Sequence, residues 1–274
     1  MQTTTATSVA LPPPLAAELG KHARSDVSTG ESGSRVSRFH RTSGSSVYLK
    51  TRPIDPGVSD RPLYDEGERL GWMHAVGLPV PAVLQYHEWK GHEYLLLTAL
   101  GGMDASQSRP VEQHAAVVAA LASGLRALHA TNISACPFDQ SRSARVAAAH
   151  DRLRRGLVRE DDVDTHRVGR SASDLYNELH ASAPATEERS FTHGDYSLPN
   201  VLLEEDGAGG FRVSGFVDCG NAGVADRYQD LALCARDVAT AFGPALVPTL
   251  FARYGIDQVD EQKVAYYQLL DEFF

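Results

Sequence analysis

Two apolar stretches of strand length, Val201-Leu202-Leu203 and Phe211 to Val217, are separated by Glu205-Asp206-Gly207-Ala208-Gly209-Gly210. A turn this rich in glycine between such segments predicts a β-hairpin. The hairpin constrains the chain more than any other feature, because it decides what meets at its open end. Thr192-His193-Gly194-Asp195-Tyr196-Ser197-Leu198-Pro199-Asn200 leads into the first strand, and Asp218 follows the second. Antiparallel pairing sets Asn200 beside Asp218, with Asp195 five residues upstream of the amide. An amide and a carboxylate together are hard oxygen donors suited to Mg²⁺. Asp195, left off the metal, is placed to accept a proton from an attacking hydroxyl or to orient it. Taken singly, these residues are turn formers and a strand end. In this order and spacing they point to chemistry.

The rest of the chain divides in character at Gly101-Gly102. Residues 1–24 are rich in Thr, Ala and Pro and read as a loosely ordered segment. From there to residue 97 the pattern is mostly strand-like. Ser46-Val47-Tyr48-Leu49-Lys50 alternates until Arg52-Pro53 stops it, and Val83 to Trp89, Lys90-Gly91 and Tyr94 to Thr98 form a hairpin with a two-residue turn. Glu66 to Ala75 reads as the one helix of this half. Beyond the glycines, Val118, Leu121, Leu125 and Leu128 recur at helical spacing, and Ser171-Ala172-Ser173-Asp174 reads as a capped helix start. Short strands at 191–193, 201–203 and 211–217 precede helices at 226–241 and 260–271.

With 42% hydrophobic and 22% charged residues among 274, the composition is that of a globular protein. Lys plus Arg number 26 against 35 Asp plus Glu, a formal net charge of −9. That balance speaks against nucleic acid as a partner and suits a cationic ligand. No apolar run is long enough for a membrane-spanning helix, and the first twenty residues lack a signal peptide's basic start. Cys136, Cys219 and Cys234 form no CxxC pair. These features predict a cytoplasmic protein without a membrane partner. There is no GxxxxGK[ST], GxGxxG or GxSxG sequence. His87 and His92 are five apart in a predicted hairpin, which does not fit a helical zinc pair.

The 193–218 arrangement is the layout of a phosphotransferase of the eukaryotic protein-kinase fold, with His-Gly-Asp where protein kinases have His-Arg-Asp. The upstream half supplies what such a fold needs. Lys50 sits on a strand, and Glu66 lies on the following helix, where pairing would hold the lysine on the α and β phosphates of ATP. Ser28 to Ser34 is a Gly/Ser loop one strand earlier whose backbone could cover phosphates. Thr98 to Leu100 would be the hinge that bonds adenine. The expected architecture is α+β and two-lobed. A small N-lobe with an antiparallel sheet and one helix spans 25–97, the hinge 98–103, and a larger, mostly helical C-lobe 104–274.

His193-Gly194-Asp195 to Asn200, Val213 to Asp218, Gly223-Val224-Ala225-Asp226-Arg227, Asp230-Leu231-Ala232-Leu233 and Tyr267 to Phe274 together resemble the aminoglycoside 3′-phosphotransferases, with the neomycin and kanamycin kinases nearest. The resemblance runs from about residue 28 to the end and is densest after 190. It implies transfer of the γ-phosphate of ATP, with GTP as an open alternative, to the 3′-hydroxyl of kanamycin- and neomycin-type antibiotics, conferring resistance. It assigns Asp195 as catalytic base, Asn200 and Asp218 to Mg²⁺, and Lys50, Glu66 and Ser32 to the phosphates. The backbones of Thr98 and Leu100 go to adenine. Asp164, Arg236, Asp237, Asp271, Glu272 and the terminal carboxylate of Phe274 go to the aminoglycoside, whose ammonium groups such carboxylates would orient. Asn221 stands where the family pattern often has Arg, Thr165 and Thr240 where relatives tend to carry acids, and Ala99 where an acid is common. The resemblance leaves a monomer or a weak dimer open. The competing readings are a kinase of choline, homoserine or a macrolide on the same fold, and a non-catalytic nucleotide-binding pseudokinase. The presence of Lys50, Asp195, Asn200 and Asp218 and the acidic C-terminus rank these behind the first.

Overall fold

Leu11, Leu15 and Leu19 recur every four residues, and Pro13 opens the helix that uses this spacing, α1 (Pro13–Leu19). Leu15 and Leu19 are fully buried and pack with Phe39, Val47, Leu49, Tyr94 and Leu96. The Tyr94 hydroxyl donates to Ala10 O at 2.8 Å. The part of 1–24 from residue 10 onward is thus held against a sheet, where the sequence led us to expect loose order. Proline content suggested disorder, but one of those prolines occupies the first helical position, where its missing N–H costs nothing. This computed structural model describes residues 10–27, 34–41, 44–55, 60–161, 163–164 and 167–274.

Two compact units divide the chain. The first takes Met1–Glu68 and Pro81–Ala99, the second Arg69–Val80 and Leu100–Phe274. In the first unit, β1 (Ala23–Val27), β2 (Arg35–His40), β3 (Val47–Pro53), β4 (Val83–Trp89) and β5 (His92–Thr98) form an antiparallel sheet of order β1-β2-β3-β5-β4. Lys90 and Gly91 turn the β4–β5 hairpin, both with positive φ (48° and 74°), as a two-residue turn of the primed type requires. The boundary between the units falls inside α2 (Pro62–Ala75), which starts four residues before the Glu66 expected to open it.

The second unit begins within that helix, where the sequence suggested a single joint at 98–103. Packing explains the early start: Leu70 and Met73 are buried, the Trp72 ring stacks 4.8 Å from Phe191, and Arg69 Nε donates to Ala222 O at 2.9 Å. Helices supply most of the regular structure of this unit: α3 (Val111–His129), α4 (Arg142–Arg154), α5 (Ala172–Ala181), α6 (Tyr228–Phe242), α7 (Val247–Tyr254) and α8 (Glu261–Asp271). Ser171 caps α5 as its sequence signature predicts, accepting from Asp174 N. β6 (Met103–Asp104), β8 (Val201–Glu205) and β9 (Phe211–Phe216) make a three-stranded sheet, and β7 (Arg189–Thr192) pairs with β10 (Gly223–Asp226). The predicted hairpin is β8–β9, with Val201 opposite Phe216. Asp206 Oδ1 closes its turn by accepting from Ala208 N and Gly210 N at 2.8 and 2.9 Å. No helix among the described residues is long and apolar enough to cross a membrane.

Candidate active site

The loop after β7 is fixed from behind by one carboxylate. Asp230, fully buried in the first turn of α6, accepts from His193 N at 2.7 Å, Gly194 N at 2.8 Å and His129 Nε2 at 3.1 Å. Gly194 has φ +81°, and a Cβ there would lie 2.2 Å from Asn221 O, so only glycine fits between the loop and the 218–222 turn. This is the local reason for Gly where protein kinases carry Arg. A second carboxylate, Asp237 on α6, accepts from Leu198 N at 2.9 Å. Asp237 Oδ2, expected to meet substrate, is therefore committed to the loop backbone.

Between these anchors Asp195 is oriented by Asn200, whose Nδ2 donates to Asp195 Oδ2 at 2.8 Å and to Asp195 O at 3.1 Å. With its N–H groups so engaged, the Asn200 amide keeps its oxygen for another partner. Val217 N donates to Asn200 O at 3.0 Å, which brings Asn200 beside the strand end at Asp218, as the hairpin requires. Asp218 has φ +59°, one of two non-glycine residues with positive φ among those described, a conformation Asp tolerates better than most. Burial, with the negative charges of Asp271 and Asp218, lifts the Asp195 carboxyl to about 6, while His193 and a hydrogen bond from Ser197 oppose the rise. A carboxylate tuned toward neutrality is a better proton acceptor than an ordinary aspartate.

Asn200 and Asp218 fit a Mg²⁺ ion of the kind that completes its shell with phosphate oxygens and water: one amide oxygen and one carboxylate, both hard donors. No cluster of three or more His, Cys, Asp or Glu that could hold a metal occurs among the described residues, so an all-protein metal cage is not what these residues build.

Four carboxylates assigned to the substrate converge near the C-terminus. Asp271 bonds Arg236 Nη2 at 2.8 Å, and the same guanidinium lies 3.9 Å from Asp164 and 4.0 Å from Asp237. Arg167 bridges Asp164 at 3.0 Å and Glu272 at 2.8 Å, and Asp164 N donates to both Glu272 oxygens. Four carboxylates thus share two guanidiniums, leaving an excess of negative charge. Burial raises the pKa of Asp237 and Glu272. A cavity of about 460 Å³ opens beside Asp164, Arg236 and Thr240, within the size range of small-molecule sites. The carbonyl end of Phe274 accepts from Arg152 Nη2 at 3.1 Å, and its ring lies under Arg145 at 3.5 Å.

In the first unit, Lys50 Nζ and Glu66 Oε1 are 2.6 Å apart and both residues are buried. Thr98 N is bonded to Ala82 O and Ala99 N to Ser46 O. Ser32 and Thr165 lie outside the described residues. Sequence reasoning missed Asp230, Arg167, Arg145 and Arg152. Asp230 sat in a segment that carried the family resemblance, and Arg167 follows Asp164 by three residues, whereas nothing local marks the other two.

These features define a phosphotransferase of kinase-like fold. The sequence matches the phosphotransferase enzyme family over residues 26–267. It is 39% identical over 256 residues to an aminoglycoside 3′-phosphotransferase of Streptomyces fradiae, spanning 90% of this chain and 94% of the relative. The crystal structure of an aminoglycoside-3′-phosphotransferase of type VIII is similar with a TM-score of 0.84 and 36% identity, covering 95% of this chain and 97% of the other. An aminoglycoside phosphotransferase of Streptomyces rimosus, solved with ADP and streptomycin, is similar with a TM-score of 0.78 and 26% identity over 94% and 95% of the two chains. The chain belongs to the phosphotransferase enzyme family, in its aminoglycoside 3′-phosphotransferase branch.

Proposed function

We propose that this enzyme transfers the γ-phosphate of ATP to the 3′-hydroxyl of kanamycin- and neomycin-type aminoglycosides, and so confers resistance in the cytoplasm, where ATP is supplied. The observation that carries this reading is the coupling of a kinase-type base to an acidic cluster. Asp195 is held by Asn200, and four carboxylates stand about Arg236 and Arg167, with Asp237 reaching from that cluster to the catalytic loop. An aminoglycoside's ammonium groups replace guanidinium contacts at Asp164, Asp271 and Glu272, and the several charge-assisted hydrogen bonds fix the sugar's orientation. Asp195 then accepts the 3′-hydroxyl proton as the oxygen attacks phosphorus in line, without a phosphoenzyme. Asn200 and Asp218 would hold Mg²⁺, which supplies charge neutralisation on the phosphates. Lys50, held by Glu66, serves the α and β phosphates; Ser32 and the backbones of Thr98 and Leu100 serve the β phosphate and adenine.

The test is an ADP-release assay with ATP and Mg²⁺, comparing kanamycin, neomycin and tobramycin, which lacks the 3′-hydroxyl. Turnover with the first two and none with the third is expected. Turnover with all three moves the transfer to another hydroxyl, and none with any refutes the substrate.

A further inference from the structure

Three residues that each carry a buried polar atom without a partner, none used by the mechanism, line one cavity. Arg145, near the start of α4, is 5% exposed and has no carboxylate within ion-pair distance among the described residues. Its Nη1 donates to Asn221 Oδ1 at 3.3 Å, but its Nε is buried without a partner. Gln229 of α6 donates through Nε2 to Gly194 O at 3.4 Å, while its Oε1 is buried and unpaired. The hydroxyl of Tyr267, on α8, is buried and unpaired as well. All three residues line a single cavity of about 10 Å³, together with Gly194 and Asp271.

Orphaned polar atoms of this kind are rare because each carries its full desolvation cost. Size decides what can satisfy them: the cavity is about that of one water and far below a phosphate or a sugar. The chemistry agrees. An N–H donor, an amide oxygen acceptor and a hydroxyl able to do either are the three bonds a buried water typically makes.

We propose that Arg145, Gln229 and Tyr267 hold one internal water, and that this network braces the catalytic loop at Gly194, making Arg145 a positioning residue for Asp195. The loop's N–H groups are fixed by Asp230, but the Gly194 carbonyl is met by Gln229 at long range, so the orientation of that amide matters. A water on Oε1 sets it. Burial lowers the Arg145 pKa to about 10, with Asp271 and Asp195 opposing the fall, so the guanidinium stays charged at neutral pH and faces the two carboxylates. The network ties α4, α6 and α8 to the loop that carries the base.

The kinetic part rests on the phosphotransferase reading above, and the water does not. A crystal structure of the full chain at a resolution that shows ordered solvent should place one water within hydrogen-bond distance of Arg145 Nε, Gln229 Oε1 and Tyr267 Oη. In the ADP-release assay, Tyr267→Phe and Arg145→Lys should each lower kcat by about threefold or more with KM for ATP held within about twofold. The double variant should be no slower than the worse single one, because both remove the same water-mediated link. Tyr267→Phe deletes one oxygen and keeps the packing, so a folding failure of Arg145→Lys leaves the test intact. Multiplying effects, a lowered Tm with unchanged kcat, or a cavity without water in the map would each overturn the proposal. If the wild type fails to phosphorylate an aminoglycoside, the proposed substrate falls, and the crystal structure still decides the water.

Discussion

Replacing Asp195 with Asn should inactivate the enzyme and stabilise it. Burial, aided by Asp271 and Asp218, lifts this carboxyl from 3.8 to about 6. A rise of about 2.2 pH units at about 1.36 kcal/mol each makes the charged form cost the folded protein about 3 kcal/mol. The sign follows from the direction of the rise. Between pH 3.8 and 6 the folded chain keeps a proton that the unfolded chain releases, so the penalty is absent below the lower value and complete above the higher. Asn carries no such penalty. Its amide oxygen can still accept from Asn200 Nδ2, but the exchange of a charged for a neutral acceptor costs about 1 kcal/mol. The net gain at pH 7.5 is about 2 kcal/mol, or roughly 4 °C in Tm for a chain of this size. Calorimetry of both proteins at pH 7.5 and pH 4 checks this, beside a kcat that should fall by about a thousandfold. Wild-type kcat/KM should also drop about tenfold per pH unit below 6. Equal Tm values at pH 7.5, or a gain that persists at pH 4, would refute the assignment of a buried, raised carboxyl.

Three other substitutions test separate parts of the site. Gly194→Ala should cost about 3 kcal/mol or more, combining a left-handed backbone with a Cβ placed against Asn221 O, and thermal unfolding should show it. Lys50→Met removes the ammonium that the buried Glu66 holds at 2.6 Å; it should destabilise the protein by about 3 kcal/mol and raise KM for ATP tenfold or more, read by chemical denaturation and steady-state kinetics. Arg167→Gln removes the cation that Asp164 and Glu272 share and should change KM for kanamycin by about fivefold or more while leaving KM for ATP unchanged. Probing the C-terminus calls for deleting Phe274 alone, because Phe273 is fully buried and its loss should cost about 3 kcal/mol or more of core packing.

What could be read from the sequence was local. The β8–β9 hairpin announced itself through Asp206 and its glycines, the α5 cap through Ser171 and Asp174, and the pairing of Lys50 with Glu66 through strand and helix spacing. What could not be read depends on partners remote in the chain. α4 buries little beyond Arg145 and Ala149, so it shows no apolar stripe, and the proline run at the start of α1 masked three leucines that pack on one side of a sheet. Arg145, Gln229 and Tyr267 are more than thirty residues apart and meet only when three helices pack.

Gly194 shows where the two kinds of information join. Its place in His-Gly-Asp marks it as a departure from the protein-kinase pattern, but the sequence offers no reason for it. The reason is a carbonyl, Asn221 O, that occupies the space a side chain would need. That carbonyl is where it is because Asp218 turns the chain with φ +59° and Ala222 N closes the turn on Cys219 O at 3.0 Å. The glycine in the loop that carries Asp195 and the turn after Asp218 therefore form one steric unit. A larger residue at 194 requires a different path at 218–222, and with it a different orientation for Asp218. Any variant that restores a side chain at 194 should consequently lose Mg²⁺-dependent turnover along with stability.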